Sequence, residues 1–411
     1  MHKISVLYKD KQMVDLLKWI HSGIQTLMPY QPGKSIESLA KERTLGDIIK
    51  LASNENPLGC SPAVLDYLRS CAAQTAAVYP SMEAHPLHRA LADFSGVSED
   101  MLLLGNGSDP LFGLIMTVFA LHTERWVITH AHAFSTYVIQ AETLGIPVHK
   151  VADKADGSVD VEALLEACKQ KPGIVFLANP NNPTGWALSD TDLLYLMESV
   201  PEHTLMVLDQ AYHEYAPSAL TQLAWLSAFP RVLVTRTFSK IYGLAGLRLG
   251  YVLGNPELIQ WLARAQLPFT VNRLAMDAGL AALTDQDFVL RSVVGNTQNM
   301  QSLVQEMQNL GLSVRATAAN FIVWDTEGDA QLWYEYLLAQ GIIVRPLHPY
   351  QMPTCLRITV GTPAENKRFI DTIRESINLD SIDFPIPTCE RLREIRDENI
   401  CASAFDSSEG F

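Results

Sequence analysis

The sequence predicts an α/β protein with a large domain, built on a mostly parallel sheet between helices, and a smaller α+β domain. Three observations point there. Between about residues 75 and 295, short β-branched and leucine-rich runs alternate with segments of helical period, the signature of βαβ units. Runs such as Val232–Val234 are apolar without alternation, as strands covered on both faces are. Past about residue 295 the texture changes to a long polar-amphipathic segment followed by helix-like and strand-like stretches in a different order.

Taken in order, residues 1–28 form an N-terminal extension with a weak amphipathic pattern (Val14, Leu16, Leu17, Ile20, Ile24), broken by Pro29-Tyr30-Gln31-Pro32-Gly33. The expected strands of the large domain, 75–295, are Met101–Leu104, Trp126–Thr129, Ile174–Ala178, Leu205–Leu208, Val232–Val234 and Leu249–Leu253. Helices are expected at Pro110–Leu121, Val161–Lys169 and Asp190–Glu198. The small domain, 296–380, should hold a helix at Asn296–Asn309, a strand at Phe321–Trp324, a helix near Leu332–Gln340, and strands at Ile342–Arg345 and Leu356–Val360. The tail, 381–411, is polar, serine-rich and interrupted by Pro385 and Pro387, so it need not pack on either core.

The totals agree with a globular protein. A chain of 411 residues is long enough for two cores. A formal charge of −14 argues against a nucleic-acid partner, whose phosphates would repel the average surface. The six cysteines show no CxxC and no metal-ligand spacing with histidine, which fits scattered reduced thiols and no metal site. Lys9, Asp10, Lys11 and Asp15 interrupt any secretory signal. The longest apolar run, Leu111–Leu121, is far short of the ~20 residues that span a bilayer and reads as a buried helix. Cytoplasm is the expected location, with no membrane partner.

Chemistry concentrates where open α/β sheets bind ligands, at the carboxyl ends of strands. Lys240, in Thr237-Phe238-Ser239-Lys240, is an amine whose pKa a pocket would lower, making it a nucleophile. Arg248, eight residues on, suits a phosphate, and Thr237 and Ser239 add hydroxyls for the same anion. An amine beside a phosphate cradle suggests pyridoxal phosphate held as a Schiff base. Gly105-Asn106-Gly107-Ser108-Asp109-Pro110 joins a strand to a helix whose N–H groups can receive an anion, although taken alone a plain turn capped by Ser108 or Asp109 is the favoured reading. In the proline-rich loop from Asn179 to Gly185, Asn182 is an amide donor suited to a phenolate oxygen. Asp209 follows a strand, where a buried carboxylate needs a cation such as a protonated pyridine nitrogen, with Tyr212 placed to bond the same ring, although taken alone Asp209 reads first as a helix cap or a surface salt-bridge partner. Phe134 offers a face for stacking, or simple core packing. Arg345 and Arg357 sit on apolar strands and need anions, which a salt bridge or a substrate would supply.

These segments together resemble the fold-type I pyridoxal-phosphate aminotransferases, and among them the histidinol-phosphate aminotransferases, from about Pro29 to Gly361. Further matching elements are Ser53-Asn54-Glu55-Asn56-Pro57, Tyr79-Pro80, Leu244-Ala245-Gly246-Leu247-Arg248 and Leu356-Arg357-Ile358-Thr359-Val360-Gly361. The resemblance implies that residues 29–74 contribute to the small domain and the active site. It implies that Lys240 forms the internal aldimine and shuttles a proton, that Asp209 holds the pyridine nitrogen, and that Tyr212 and Asn182 hold the phenolic oxygen. Phe134 takes the stacking place; Gly107, Ser108, Asp109, Thr237, Ser239 and Arg248 bind the phosphate. Tyr79 corresponds to a tyrosine that reaches the neighbouring subunit's phosphate, so a homodimer is implied. Arg357 matches the arginine for the amino donor's carboxylate, and Arg345 and Tyr30 match residues that hold a substrate's phosphate or carboxylate.

The implied activity is amino transfer between L-histidinol phosphate or imidazole-acetol phosphate and glutamate or 2-oxoglutarate, in histidine biosynthesis. An aromatic or broad-specificity aminotransferase is the nearest alternative, and a phosphoamino-acid decarboxylase a further one. A transcription regulator with an aminotransferase-like domain would need a DNA-binding domain ahead of Pro29, for which about 28 residues fall short of the ~40 that unaided domains require. Gln210, Pro110, Phe134 and the stretch Ser81–Pro86 depart from the family pattern.

Overall fold

The computed structural model describes residues 19–25, 27, 33–43, 47–71, 74–81, 85–216, 218, 220 and 223–378. Most of the N-terminal extension, Tyr30 and the tail lie outside the described residues.

Seven strands form the central sheet: β1 (Leu102–Gly105), β2 (Trp126–His130), β3 (Val148–Val151), β4 (Gly173–Ala178), β5 (Thr204–Asp209), β6 (Val232–Thr237) and β7 (Gly250–Leu253). Their spatial order is β1-β7-β6-β5-β4-β2-β3. β7 runs antiparallel to β1 and β6, and every other pairing is parallel. The central strands carry apolar runs that enter cores on both faces, and their polar residues cluster toward the carboxyl ends, as Asp209 and Thr235-Arg236-Thr237 do. In β4, Ile174, Phe176 and Ala178 enter one core while Val175 and Leu177 enter the opposite one, and β5 and β6 divide their side chains the same way. β3 was not among the expected strands. It is an edge strand whose middle residues, His149 and Lys150, are not buried, so it lacks the apolar run that marks its neighbours.

The helices that cover the sheet start where polar caps dictate. Asp160, Ser189, Asn255 and Asn272 each accept a backbone N–H in the first turn of the helix that follows. The expected helices occur at Asp109–Phe119, Val161–Gln170 and Asp190–Ser199.

The second sheet is antiparallel, of β8 (Ser313–Arg315), β9 (Phe321–Asp325), β10 (Arg345–Pro346) and β11 (Cys355–Thr359) in the order β10-β11-β9-β8. It packs through Trp324, Trp333, Phe369 and their neighbours onto helices Gln286–Asn309, Ala330–Ala339 and Pro363–Asn378. Ile49–Lys50 pairs in parallel with Ile342–Ile343, which ties the N-terminal segment to this layer. The helix expected from Asn296 begins ten residues earlier, at Gln286, so one continuous helix crosses the expected domain boundary at 295/296. Among the described residues no helix is long and apolar enough to cross a membrane.

Register positions the chemistry. Ala178, Asp209 and Thr235 lie in one row across β4, β5 and β6, and Gly105, Gly250 and Thr237 in another across β1, β7 and β6. Both rows sit at the carboxyl ends of the parallel strands, where loops splay apart and leave a cleft.

Candidate active site

The cleft encloses about 890 Å³ of empty space, part of it open to solvent, between the carboxyl edge of the central sheet and the small sheet. Its lining includes four cations (Lys240, Arg248, Arg345, Arg357) and two carboxyls (Asp109, Asp209). In a chain of net charge −14 this is a positive recess.

Asp209 ends β5 with its carboxylate buried. Tyr137 donates to its Oδ2 at 2.6 Å, while the Thr235 hydroxyl (3.3 Å) and the Ala211 N–H (3.2 Å) donate to Oδ1. Burial, helped by the nearby Asp109 charge and opposed by the Tyr137 bond, pushes the carboxyl up to about 6. Lys240, just past β6, donates from Nζ to the Ser53 carbonyl at 3.1 Å. Desolvation in the cleft, reinforced by Arg357, lowers its ammonium to about 8. Tyr212 is buried beside Phe321, and its hydroxyl accepts from Asn54 Nδ2 at 2.9 Å. Phe134 lines the cleft with its edge against Tyr137, the ring centroids 5.7 Å apart.

At one end of the cleft the chain builds an anion cradle. Helix Asp109–Phe119 begins at Ser108, whose side chain makes no capping bond; Pro110 has no N–H and the Leu111 N–H donates to the Ser108 carbonyl at 3.0 Å, which leaves the Asp109 N–H at the mouth of the helix for an acceptor outside it. The plain-cap reading of Ser108 therefore does not hold. Gly107 has φ +88°, and a Cβ there would lie 2.6 Å from Arg248 Nη2. A Cβ at Gly250 would come within 2.7 Å of the Gly107 carbonyl carbon and the Ser108 nitrogen. Only glycines let β7, the loop and the guanidinium converge. Arg248 Nη1 donates to Ala245 O at 3.1 Å and to Ser239 Oγ at 3.4 Å, and the Thr237 hydroxyl donates to Ser239 Oγ at 3.0 Å. Burial raises the Asp109 carboxyl, with Arg248 and Lys240 holding it back.

The opposite wall carries two arginines. Arg345 and Arg357 are buried and face each other across the β10–β11 pairing. Arg357 donates to the Asn182 side-chain oxygen and, at 2.7 Å, to the Ala52 carbonyl. That bond turns the Asn182 amide nitrogen away from Arg357. The Asn179–Gly185 loop is fixed by two cis peptides, at Pro180 and Pro183, and by Asn181, whose amide bonds His132 O and Thr184 Oγ1.

This arrangement fits pyridoxal phosphate. The Gly107–Arg248 cradle offers guanidinium and hydroxyl donors for a phosphate, and Asp209, its pKa raised, is a buried carboxylate suited to a protonated ring nitrogen. Residues 46–373 match the family model of class I and II aminotransferases. The chain belongs to that family. A histidinol-phosphate aminotransferase of Legionella pneumophila strain Lens is 48% identical to this aminotransferase over 363 residues, covering 88% of this chain and 98% of its own. One from Nitrosococcus oceani is 41% identical, covering 86% and 95%. The crystal structure of the Sinorhizobium meliloti histidinol-phosphate aminotransferase, in complex with pyridoxal phosphate, superposes with a TM-score of 0.79 at 30% identity, covering 87% and 98%. The architecture is that of the fold-type I aminotransferases, and pyridoxal phosphate is the family's cofactor.

The cleft gathers Ser108, Asp109, Phe134, Asn182, Asp209, Tyr212, Thr237, Ser239, Lys240, Arg248, Arg345 and Arg357, with Gly107 against Arg248. Tyr79 instead lies exposed, stacked on Phe269 at 4.6 Å. Sequence reasoning assigned no role to Tyr137 or Asn54. A fully buried tyrosine needs a hydroxyl partner, so Tyr137, near the start of a helix after β2, carried a signal of its own.

Proposed function

We propose that this aminotransferase moves an amino group between L-histidinol phosphate or imidazole-acetol phosphate and glutamate or 2-oxoglutarate. The observation that carries the reading is the pair Arg345 and Arg357, buried on adjacent strands of the wall facing Lys240. Two planar cations in one wall can receive a carboxylate in one half-reaction and a phosphate ester in the other. The relatives named above, of near-equal length, support the same substrates.

Bound pyridoxal phosphate supplies a carbonyl for the Lys240 amine and a ring that withdraws electrons from the substrate's α-carbon. Asp209, ionised, keeps a proton on the ring nitrogen. Tyr212 and the Asn182 amide donate to the phenolic oxygen, and Phe134 stacks on the ring. Gly107, Ser108, Asp109, Thr237, Ser239 and Arg248 hold the phosphate, through backbone N–H, hydroxyl and guanidinium donors. Lys240, with its lowered pKa, takes the proton from the α-carbon and returns it, acting as a general base near neutral pH. Tyr30 would join Arg345 at the substrate's phosphate or carboxylate.

The reading includes a cytoplasmic homodimer. Tyr79 is 78% exposed, Leu267 78% and Phe269 42%. Such large apolar side chains in one surface region suit a second copy of the chain, and would carry Tyr79 toward the partner's phosphate cradle.

Single-turnover spectra of the cofactor-loaded enzyme test the substrate. Rapid conversion to the amino form of the cofactor by L-histidinol phosphate, and by glutamate, is expected. Conversion by L-phenylalanine with none by the phosphate ester would assign an aromatic aminotransferase. Carbon dioxide release without need of 2-oxoglutarate would assign a decarboxylase.

A further inference from the structure

Three consecutive residues of the N-terminal segment each touch a different cleft side chain. The Ala52 carbonyl accepts from Arg357, the Ser53 carbonyl from Lys240, and Asn54 donates from Nδ2 to the Tyr212 hydroxyl. The first two contacts are made by backbone and tolerate any residue type. The third is made by a side chain.

Asn54 is 1% exposed and has φ +56°, in the left-handed region. Its surroundings determine which way the amide points. The Asn54 N–H donates to Thr359 Oγ1 at 2.9 Å, and the Thr359 hydroxyl in turn donates to Asn54 Oδ1 at 3.1 Å. Oδ1 is thus the acceptor for Thr359, and Nδ2 is left to face Tyr212 at 2.9 Å. The Asn54 carbonyl is held in turn by Asn320 Nδ2 at 2.9 Å. An amide nitrogen has no lone pair to accept with, so Tyr212 is the acceptor in this bond and its own proton must point elsewhere. Tyr212 lines the cleft, and that is the direction open to it.

We propose that Asn54 is a positioning residue that orients the Tyr212 hydroxyl so that its proton is presented to the cleft, with Thr359 of the small sheet setting the amide. This rests on the reading of Tyr212 as a donor to the cofactor's phenolic oxygen. Because Thr359 and Asn320 belong to the small domain, the orientation of a hydroxyl on the large domain depends on how the two are packed together.

The test is a double-mutant cycle of Asn54→Asp and Tyr212→Phe, read by the midpoint of the visible-absorbance pH titration of the cofactor-loaded protein. Aspartate keeps the size, tolerates positive φ and still accepts from Thr359, but it accepts from Tyr212 instead of donating, and turns the phenol's proton away. Loss of a donor to the phenolic oxygen disfavours its charged form, so the midpoint in N54D rises by about one unit, the order expected for one hydrogen bond to a charged oxygen. In the Y212F background the same substitution should add little, since there is no hydroxyl left to turn. The new carboxylate's own charge acts in both backgrounds and cancels in the cycle.

A second variant, Asn54→Gly, keeps the left-handed backbone and removes only the amide. It should raise the midpoint in the same direction. An unshifted N54G, or an N54D shift of equal size with and without the Tyr212 hydroxyl, would overturn the positioning role. If Y212F alone leaves the midpoint in place, the reading of Tyr212 as a donor fails, and the role of Asn54 falls with it.

Discussion

The Tyr137 hydroxyl and the Asp209 carboxylate share a 2.6 Å hydrogen bond beneath the floor of the cleft. Both groups are buried, so each satisfies a partner that water cannot reach. Removing the donor with Tyr137→Phe should raise the Asp209 pKa above about 6, because this bond opposes the burial more than those from Thr235 and Ala211 do. The sign follows from linkage. A protonated ring nitrogen is stabilised only by ionised Asp209, so cofactor affinity should fall as pH drops through the Asp209 pKa. In Y137F that fall should begin at higher pH, with a loss of about 1.5–3 kcal/mol of cofactor binding near neutrality, the size of a hydrogen bond to a charged group. Equilibrium dialysis of pyridoxal phosphate between pH 5 and 8 measures it.

Lys240 should react with the cofactor's carbonyl as the neutral amine. Its lowered pKa of about 8 means that the rate of adduct formation in cofactor-free protein rises with pH and levels off above that value. Arg357 contributes to the lowering, so Arg357→Leu should move the plateau to higher pH, while Arg357→Lys, which keeps a charge, should move it less. Lys240→Ala should leave no borohydride-fixable adduct and lower turnover by at least about 10²–10⁴-fold, the range for a lost proton-transfer group. Stopped-flow absorbance and mass spectrometry of the reduced protein check both statements.

Gly107→Ala should separate phosphate binding from ring binding. The added methyl would lie 2.6 Å from Arg248 Nη2, and φ +88° adds strain of roughly 1–2 kcal/mol for a residue with a Cβ. Relieving that contact moves the Arg248 guanidinium away from the proposed phosphate site. Affinity for pyridoxal phosphate is expected to drop about tenfold or more, equivalent to roughly 1.4 kcal/mol. Affinity for pyridoxal without its phosphate should barely change. An equal loss for both ligands would place the damage in the fold rather than in the cradle.

The exposed Tyr79, Leu267 and Phe269 carry the proposed dimer. Leu267→Glu combined with Phe269→Glu should shift the protein to monomer in sedimentation velocity, since burying two carboxylates costs more than the lost apolar contact. Tyr79→Phe should leave the dimer intact and weaken cofactor retention. A fully monomeric wild-type protein at micromolar concentration would remove the proposal.

Much of the candidate site could be read along the chain because the groups proposed to face the cofactor come in short contiguous segments at strand ends. Lys240 lies three residues past β6, Asp209 is the last residue of β5, and Ser108 precedes a helix that follows β1. The central strands were equally plain, being unbroken apolar runs. The edge strand β3 was not, because half of it faces water. The extent of helix Gln286–Asn309 was also understated, since Gly295 interrupts its pattern and its first turns, with Phe288, Val289, Leu290, Val293 and Val294, differ in texture from the polar stretch that begins at Asn296.

Sequence by itself determined that Lys240, Asp209 and the glycine loop before Ser108 would lie at the carboxyl edge of a parallel sheet, for local hydrophobic pattern and turn chemistry place strand ends without help from distant residues. Tertiary structure alone decided what each group would feel. Tyr137 meets Asp209 across 72 residues, and Asn54 meets Tyr212 across 158. The hydrogen bonds and burial that move the Asp209 and Lys240 pKa values exist only once the sheet, the N-terminal segment and the small domain have closed around the cleft, because desolvation and hydrogen-bond geometry depend on distance in space and not on separation along the chain.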